Sequence, residues 1–157
     1  IEQVPVDLNQ VVEETLLLME KDLVKRGIAI RRSLAANLPP VQGDSSALQQ
    51  VMMNLLSNAG DALGSGGEIS LETRPVSGDE GAIRLTVHDT GPGMSPEILP
   101  KIFDPFYTTK SDGTGLGLSI SYSIVREHKG TIDVESLPGK GTVFILTFPS
   151  AGRDVQA

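Results

Sequence analysis

Leu8, Val11, Leu16, Met19 and Leu23 share one side of a helix drawn at about 100° per residue. Asp7 precedes this stripe as a cap, with Gln10 three residues later and Glu13 and Glu14 early. Lys25, Arg26 and Gly27 supply a basic end and a stop. A short strand is expected at Ile28–Leu34, closed by a turn at Pro39-Pro40. A second helix runs from about Asp44 to Leu63, ended by Gly64, with Leu48, Val51, Met52, Leu55, Ala59, Ala62 and Leu63 on its broad apolar side. Strict alternation then marks strands at Ile69–Thr73 and Ile83–Asp89, separated by the polar stretch Val76–Gly81. Ser95–Gly113 is turn-rich and carries Phe103, Phe106 and Tyr107, the pattern of a long loop anchored in places by aromatic rings. A third helix starts near Gly115 and stops before Gly130. Thr131–Glu135 and Thr142–Phe148 form a hairpin through Pro138-Gly139-Lys140-Gly141. Mixed elements in this order predict a two-layer α/β (α+β) sandwich. Three main helices would lie on one face of a mixed, largely antiparallel sheet of about five strands.

The 157 residues are expected to form one domain, with Ser150–Ala157 as a frayed tail. Thirteen basic and twenty acidic residues give a net charge of -7, which argues against nucleic acid or an anionic membrane surface as a partner. With no cysteine there is no disulfide, thiolate nucleophile or cysteine-held zinc, which fits a reducing cytoplasm. No apolar run approaches the roughly 18 residues of a membrane span. Because the chain begins at Ile1 rather than Met, a longer parent, either membrane-anchored or not, is expected; the isolated fragment is expected to be monomeric.

Chemistry enters where these patterns are broken. Alternation puts Asp89 on the same side as Ile83, Leu85 and Val87, so a carboxylate ends an apolar face and needs a dedicated hydrogen-bond donor. The segment Thr90-Gly91-Pro92-Gly93-Met94 that follows is a turn whose bare backbone lets a flat ligand approach closely, which suggests a nucleotide-base pocket. On the second helix, Gln50, Asn54, Asn58 and Asp61 form the polar side. Asparagines one turn apart give up helix propensity, and their amide oxygens suit a hard cation already bound to phosphates. Gly113-Thr114-Gly115-Leu116-Gly117-Leu118 opens the third helix, where free N–H groups favour an anion. It is not a dinucleotide fingerprint, since a long loop precedes it, and neither a P-loop nor a His-Arg-Asp catalytic loop is present.

Together Gln50–Ala59, Asp89–Gly93, Phe103–Lys110 and Gly113–Leu118 resemble, in order, the N box, first glycine box, F box and second glycine box of sensor histidine kinases. The chain is thus identified as a member of the catalytic ATP-binding (HATPase_c) domains of the GHKL superfamily, and its Asn-Ala-Gly-Asp-Ala run looks most like the nitrogen-regulation type. The resemblance implies that Asp89 accepts from the adenine amino group, that Asn58 binds Mg2+, and that Asn54 lines the phosphate and water side. Gly91 and Gly93 would pack against the base and Thr142 would reach adenine through water. Asp61 and the Gly113, Thr114, Gly115, Leu116, Gly117 and Leu118 run would complete the ATP site, under a flexible lid from which Lys110 meets the terminal phosphate. Asn54 and Lys110 are the catalytic candidates. Phe103 and Phe106 would anchor the loop in the core.

The same resemblance implies transfer of the ATP terminal phosphate to a histidine on a dimerisation domain outside this chain, a response-regulator receiver domain downstream, and no direct membrane contact. Neither His88 nor His128 resembles an acceptor: His88 alternates away from Asp89, and His128 sits at a helix end, where a histidine suits the dipole. Two alternatives stay open at this point. A GHKL-type ATPase would need a glutamate base where Asn54 stands, and an amide cannot take a proton from water. A nucleotide-sensing or docking module would bind ATP without turnover. Related serine- or dehydrogenase-directed kinases share the expected fold.

Overall fold

The computed structural model describes residues 3–76, 81–105 and 117–151. In chain order these form β1 (Val4–Val6), α1 (Leu8–Lys25), β2 (Ala29–Leu34), β3 (Val41–Gly43), α2 (Ser45–Leu63), β4 (Glu68–Pro75) and β5 (Ala82–Asp89). A single 3-10 turn (Leu99–Lys101), α3 (Gly117–Glu127), β6 (Thr131–Ser136) and β7 (Thr142–Pro149) follow. The main sheet has the order β2-β4-β5-β7-β6, with β2 parallel to β4 and every other pair antiparallel. This is the mixed five-strand, three-helix architecture that the alternation and helical periods predict.

Helices occupy one face because only one face is apolar. Ile69, Leu71, Ile83, Leu85, Val87, Phe144, Leu146 and Phe148 are buried, whereas Glu72, Arg74, Arg84, Thr86 and His88 are not. Against that face α1 sets Leu8, Val11, Val12, Leu16 and Leu23, and α2 sets Leu48, Val51, Met52, Leu55, Leu56 and Ala59. Gly60 lets α1 and α2 close together, since a Cβ there would stand 2.8 Å from Leu23 Cδ2.

Two short strands escaped the sequence pattern. β1 and β3 pair antiparallel, Val4 with Gly43 and Val6 with Val41, but three-residue strands are too short to show a period. Ser150 and Ala151, expected at the start of a frayed tail, are instead tied down. Ser150 donates its N–H to the Gly81 carbonyl and bridges Val41, and the Ala151 N–H donates to the Pro40 carbonyl at 2.8 Å.

The cap at Asp7 forms as expected, its Oδ1 accepting from the Asn9 N–H at 2.9 Å and the Gln10 N–H at 3.4 Å. Gln10 does not reach back to close a capping box; its amide turns to Glu14 instead. Glu13 lies beyond the first turn, where with Glu20 it holds the guanidinium of Arg32 on edge strand β2 at 2.8 and 2.5 Å.

Candidate functional site

Asp89 ends β5 at 3% exposure, in register with Ile69 on one side and Thr142 on the other. Burial pushes its carboxyl above the ordinary value, opposed by hydrogen bonding from the main chain of Gly91 and Thr142 and by the charge of His88. The Gly91 N–H donates to Asp89 Oδ1 at 2.9 Å. A Cβ on Gly91 would sit 2.9 Å from that same oxygen and 3.4 Å from Ala62 Cβ, so Gly91, Asp89 and the end of α2 meet at one point. Gly93 and Gly141 answer a further demand. With φ of 75° and 79°, a Cβ would lie 2.0 Å from the Leu137 carbonyl oxygen or 2.1 Å from that of Asp89. The backbone of the β6–β7 turn is thereby locked under the Asp89 strand end.

Thr142 is buried beside Asp89, and its hydroxyl lies 2.9 Å from Ser136 Oγ. Ser136 in turn accepts from the Met94 N–H at 2.7 Å and lies 3.0 Å from the Gly141 carbonyl oxygen. The turn after Asp89 is thus stitched to the hairpin through one serine. Sequence reasoning missed Ser136; its only signal is a small polar residue at a strand end, which the β6–β7 register then sets opposite Thr142.

Asn54, Asn58 and Ala62 follow one another at four-residue intervals on α2, a row about 12 Å long at 1.5 Å per residue. Ala62 stands at Gly91, and Asn54 stands at the first residue of α3. Asn54 Nδ2 donates to the Gly117 carbonyl at 3.0 Å and to Ser121 Oγ at 3.2 Å, while Asn54 Oδ1 accepts from Gln50 Nε2 at 2.9 Å. Asn58 lies between these ends, half-buried, with no side-chain hydrogen bond among the described residues; Asp61 is exposed on the same side.

Gly117 differs from Gly93 and Gly141. It has no positive φ, and among the described residues a Cβ there would meet only the Asn54 side chain, at an ordinary 3.8 to 4.0 Å. Nothing within the described fold demands a glycine, which is what a surface kept bare for a ligand requires. Leu118 directs its side chain to the core, leaving its main chain for any ligand. Phe103 packs on the core as expected, 5.4 Å from the ring of Tyr122 and 6.4 Å from that of Phe144. Phe106, Tyr107, Lys110, Gly113, Thr114, Gly115 and Leu116 lie outside the described residues.

His88 projects to the sheet face opposite Asp89. His128 lies at the end of α3 as expected and turns a ring nitrogen onto its last turn. It is 4% exposed, its Nε2 accepts from the Asp44 N–H at 3.1 Å, and its Nδ1 lies 2.8 Å from the Ile124 carbonyl oxygen. An N–H on one side and a carbonyl on the other leave only the neutral ring with its proton on Nδ1. His128 is therefore an uncharged tie between the end of α3 and the cap of α2. No helix among the described residues is long and apolar enough to cross a membrane.

The family described as histidine kinase-, DNA gyrase B- and HSP90-like ATPase matches residues 43–152. The sensor histidine kinase ZraS of Klebsiella oxytoca is 41% identical over 148 residues, which cover 94% of this chain and 32% of ZraS. This chain therefore spans about a third of that relative's length. The nucleotide-free catalytic domain of the histidine kinase ThkA superposes with a TM-score of 0.85 at 32% identity, covering 96% of this chain and 97% of that one. ThkA in complex with the response regulator protein TrrA gives 0.81 at 30% identity, over 96% of this chain and 42% of that one. Full-length ShkA in complex with AMPPNP gives 0.83 at 29%, over 96% and 32%.

Proposed function

The chain belongs to the histidine kinase-, DNA gyrase B- and HSP90-like ATPase family as the catalytic domain of a sensor histidine kinase, and from that premise we propose that it binds Mg-ATP and passes the terminal phosphate to a histidine on a dimerisation domain outside this chain. The observation that carries this is the buried Asp89 carboxylate at the foot of the Asn54–Asn58–Ala62 row. A carboxylate held there by the Gly91 N–H is an acceptor for the amino group of adenine. Guanine presents a carbonyl at that place, and acceptor against acceptor is repulsive. Thr142 and Gly91 border the base, and Gly93 supports the turn beneath it.

Asn58 suits a magnesium ion: its amide is a neutral oxygen ligand with no competing hydrogen bond among the described residues. No three His, Cys, Asp or Glu side chains converge among those residues, so the ion would draw its other ligands from phosphate oxygens and water. When bound, magnesium neutralises charge on the phosphates. The chain's own contribution is positioning, which together with electrostatic stabilisation supplies almost all of the catalysis in phosphoryl transfer. Gly117 and Leu118, with Gly113, Thr114, Gly115 and Leu116, offer main-chain N–H groups to the phosphates, Asp61 lies toward the base end of α2 beside Ala62, and Lys110 meets the terminal phosphate. An imidazole nitrogen from the partner domain then forms its bond to that phosphorus as the bond to ADP breaks. Asn54 stands where a hydrolytic relative would need a base, and an amide cannot fill that role, so transfer is favoured over hydrolysis.

The partners that follow are the parent's histidine-bearing dimerisation domain and, downstream, a response-regulator receiver domain. The place of action is the cytoplasm. ATP labelled at its terminal phosphate tests the proposal: label resistant to base and labile to acid should appear on a supplied dimerisation domain and not on this chain alone. Acid-labile label on the isolated chain would refute it.

A further inference from the structure

Asn54 is held in a closed hydrogen-bond triangle. Its Nδ2 donates to the Gly117 carbonyl at 3.0 Å and to Ser121 Oγ at 3.2 Å, and Ser121 Oγ donates its own proton to the same carbonyl at 2.9 Å. Ser121 is fully buried, and a side chain on that face of α3 would ordinarily be apolar. Donor counting shows what the triangle does. A carboxamide has two N–H donors and two acceptor lone pairs, and a hydroxyl has one proton. Both Asn54 donors are spent on α3, the Ser121 proton is spent on Gly117, and one Asn54 lone pair receives Gln50 Nε2. Among the described residues, one acceptor lone pair of Asn54 remains. Turning the amide over would set its oxygen against the Gly117 carbonyl, which can only accept. Gln50 is exposed and able to follow Asn54, so α3 dictates the orientation.

We infer that Ser121 is a positioning residue: with the Gly117 carbonyl it fixes the Asn54 carboxamide so that the only thing Asn54 can offer a magnesium-nucleotide complex is a hydrogen-bond acceptor. Asn54 would thus present an oxygen to the metal or to its water, and not to a phosphate oxygen, which can only accept; a shift of α3 along α2 would turn that oxygen. The inference rests on the proposed Mg-ATP binding. It adds a residue that none of the four sequence boxes contains.

Calorimetric titration with ATP, once in excess magnesium and once in EDTA, tests it on the parent chain and three variants. The parent should bind more tightly with magnesium. Ser121→Ala should lose about three- to tenfold of that gain, the worth of one hydrogen bond, with affinity in EDTA unchanged. Ser121→Thr keeps the hydroxyl on the carbonyl four residues back and should retain the gain. Asn54→Asp is the sharper variant. If Asn54 were merely an oxygen near a cation, the added charge would strengthen the magnesium-dependent gain; under this inference its second oxygen faces the Gly117 carbonyl and the gain falls. An undiminished gain in Ser121→Ala, equal weakening with and without magnesium, or a larger gain in Asn54→Asp would each overturn it. A parent chain that binds ATP in neither condition would instead remove the nucleotide-binding proposal itself.

Discussion

Burial raises the proton affinity of Asp89, and the sign of the effect on stability follows directly. Its folded value lies above the ordinary 3.8, so the native chain holds that proton more tightly than the unfolded one. The charged carboxylate therefore costs stability at every pH above its folded value. The penalty fades as pH falls from there to about 3.8. Asp89→Asn should make the nucleotide-free protein more stable than the parent at pH 7, with the difference shrinking toward pH 4, as read from urea unfolding. The same variant should lose ATP binding in calorimetry; a variant that binds as tightly as the parent would contradict the adenine role. Gly117 and Gly141 should separate in the same way. Gly117→Ala restricts the unfolded chain at a position with no positive φ, worth about 0.4–1 kcal/mol, so its melting temperature should hold or rise while ATP affinity falls. Gly141→Ala, driven into the Asp89 carbonyl, should unfold at lower temperature whether or not nucleotide is present.

Among the elements, α2 bears the most function and is held at both ends by other parts of the chain. Asp44 Oδ1 caps its start, accepting from the Ser46 and Ala47 N–H groups at 3.0 and 3.3 Å. Arg26, at the end of α1, reaches its last turn and donates to the carbonyls of Gly60 at 2.8 Å and Gly64 at 3.3 Å. Asp44→Ala should cost about 1 kcal/mol in chemical denaturation, the usual worth of such a cap. His128→Leu fills a similar space but leaves the Asp44 N–H without its acceptor, and should cost about 1–3 kcal/mol. Both losses fall on the α2–α3 pairing. Amide exchange should accordingly quicken in α2 and α3 before it does in β4 and β5.

For the whole molecule, nucleotide binding and folding are linked. Mg-ATP at a hundred times its Kd should raise the unfolding free energy by about 2.7 kcal/mol, since it binds only the folded chain. The shift in melting temperature should vanish in Asp89→Asn and be much smaller with GTP. If GTP shifted the transition as far as ATP, the carboxylate would not be reading the purine edge.

Several features are legible in the amino-acid sequence itself, because they depend on the period of the chain. Alternation over Ile83–Asp89 placed a charged group at the end of a buried strand face, and the helical stripe of α2 put Asn54 and Asn58 on the side away from the core. Both are local, so the residues themselves decided them. What the chain alone could not decide were the contacts that close at a distance: Ser136 on Thr142, Ser121 on Asn54, His128 on the Asp44 N–H, and the pairing of β1 with β3. Each joins residues from separate elements through one or two hydrogen bonds or a three-residue strand. Such contacts leave no repeat along the sequence, and exist only once packing of the helices on the sheet has fixed which polar groups face one another.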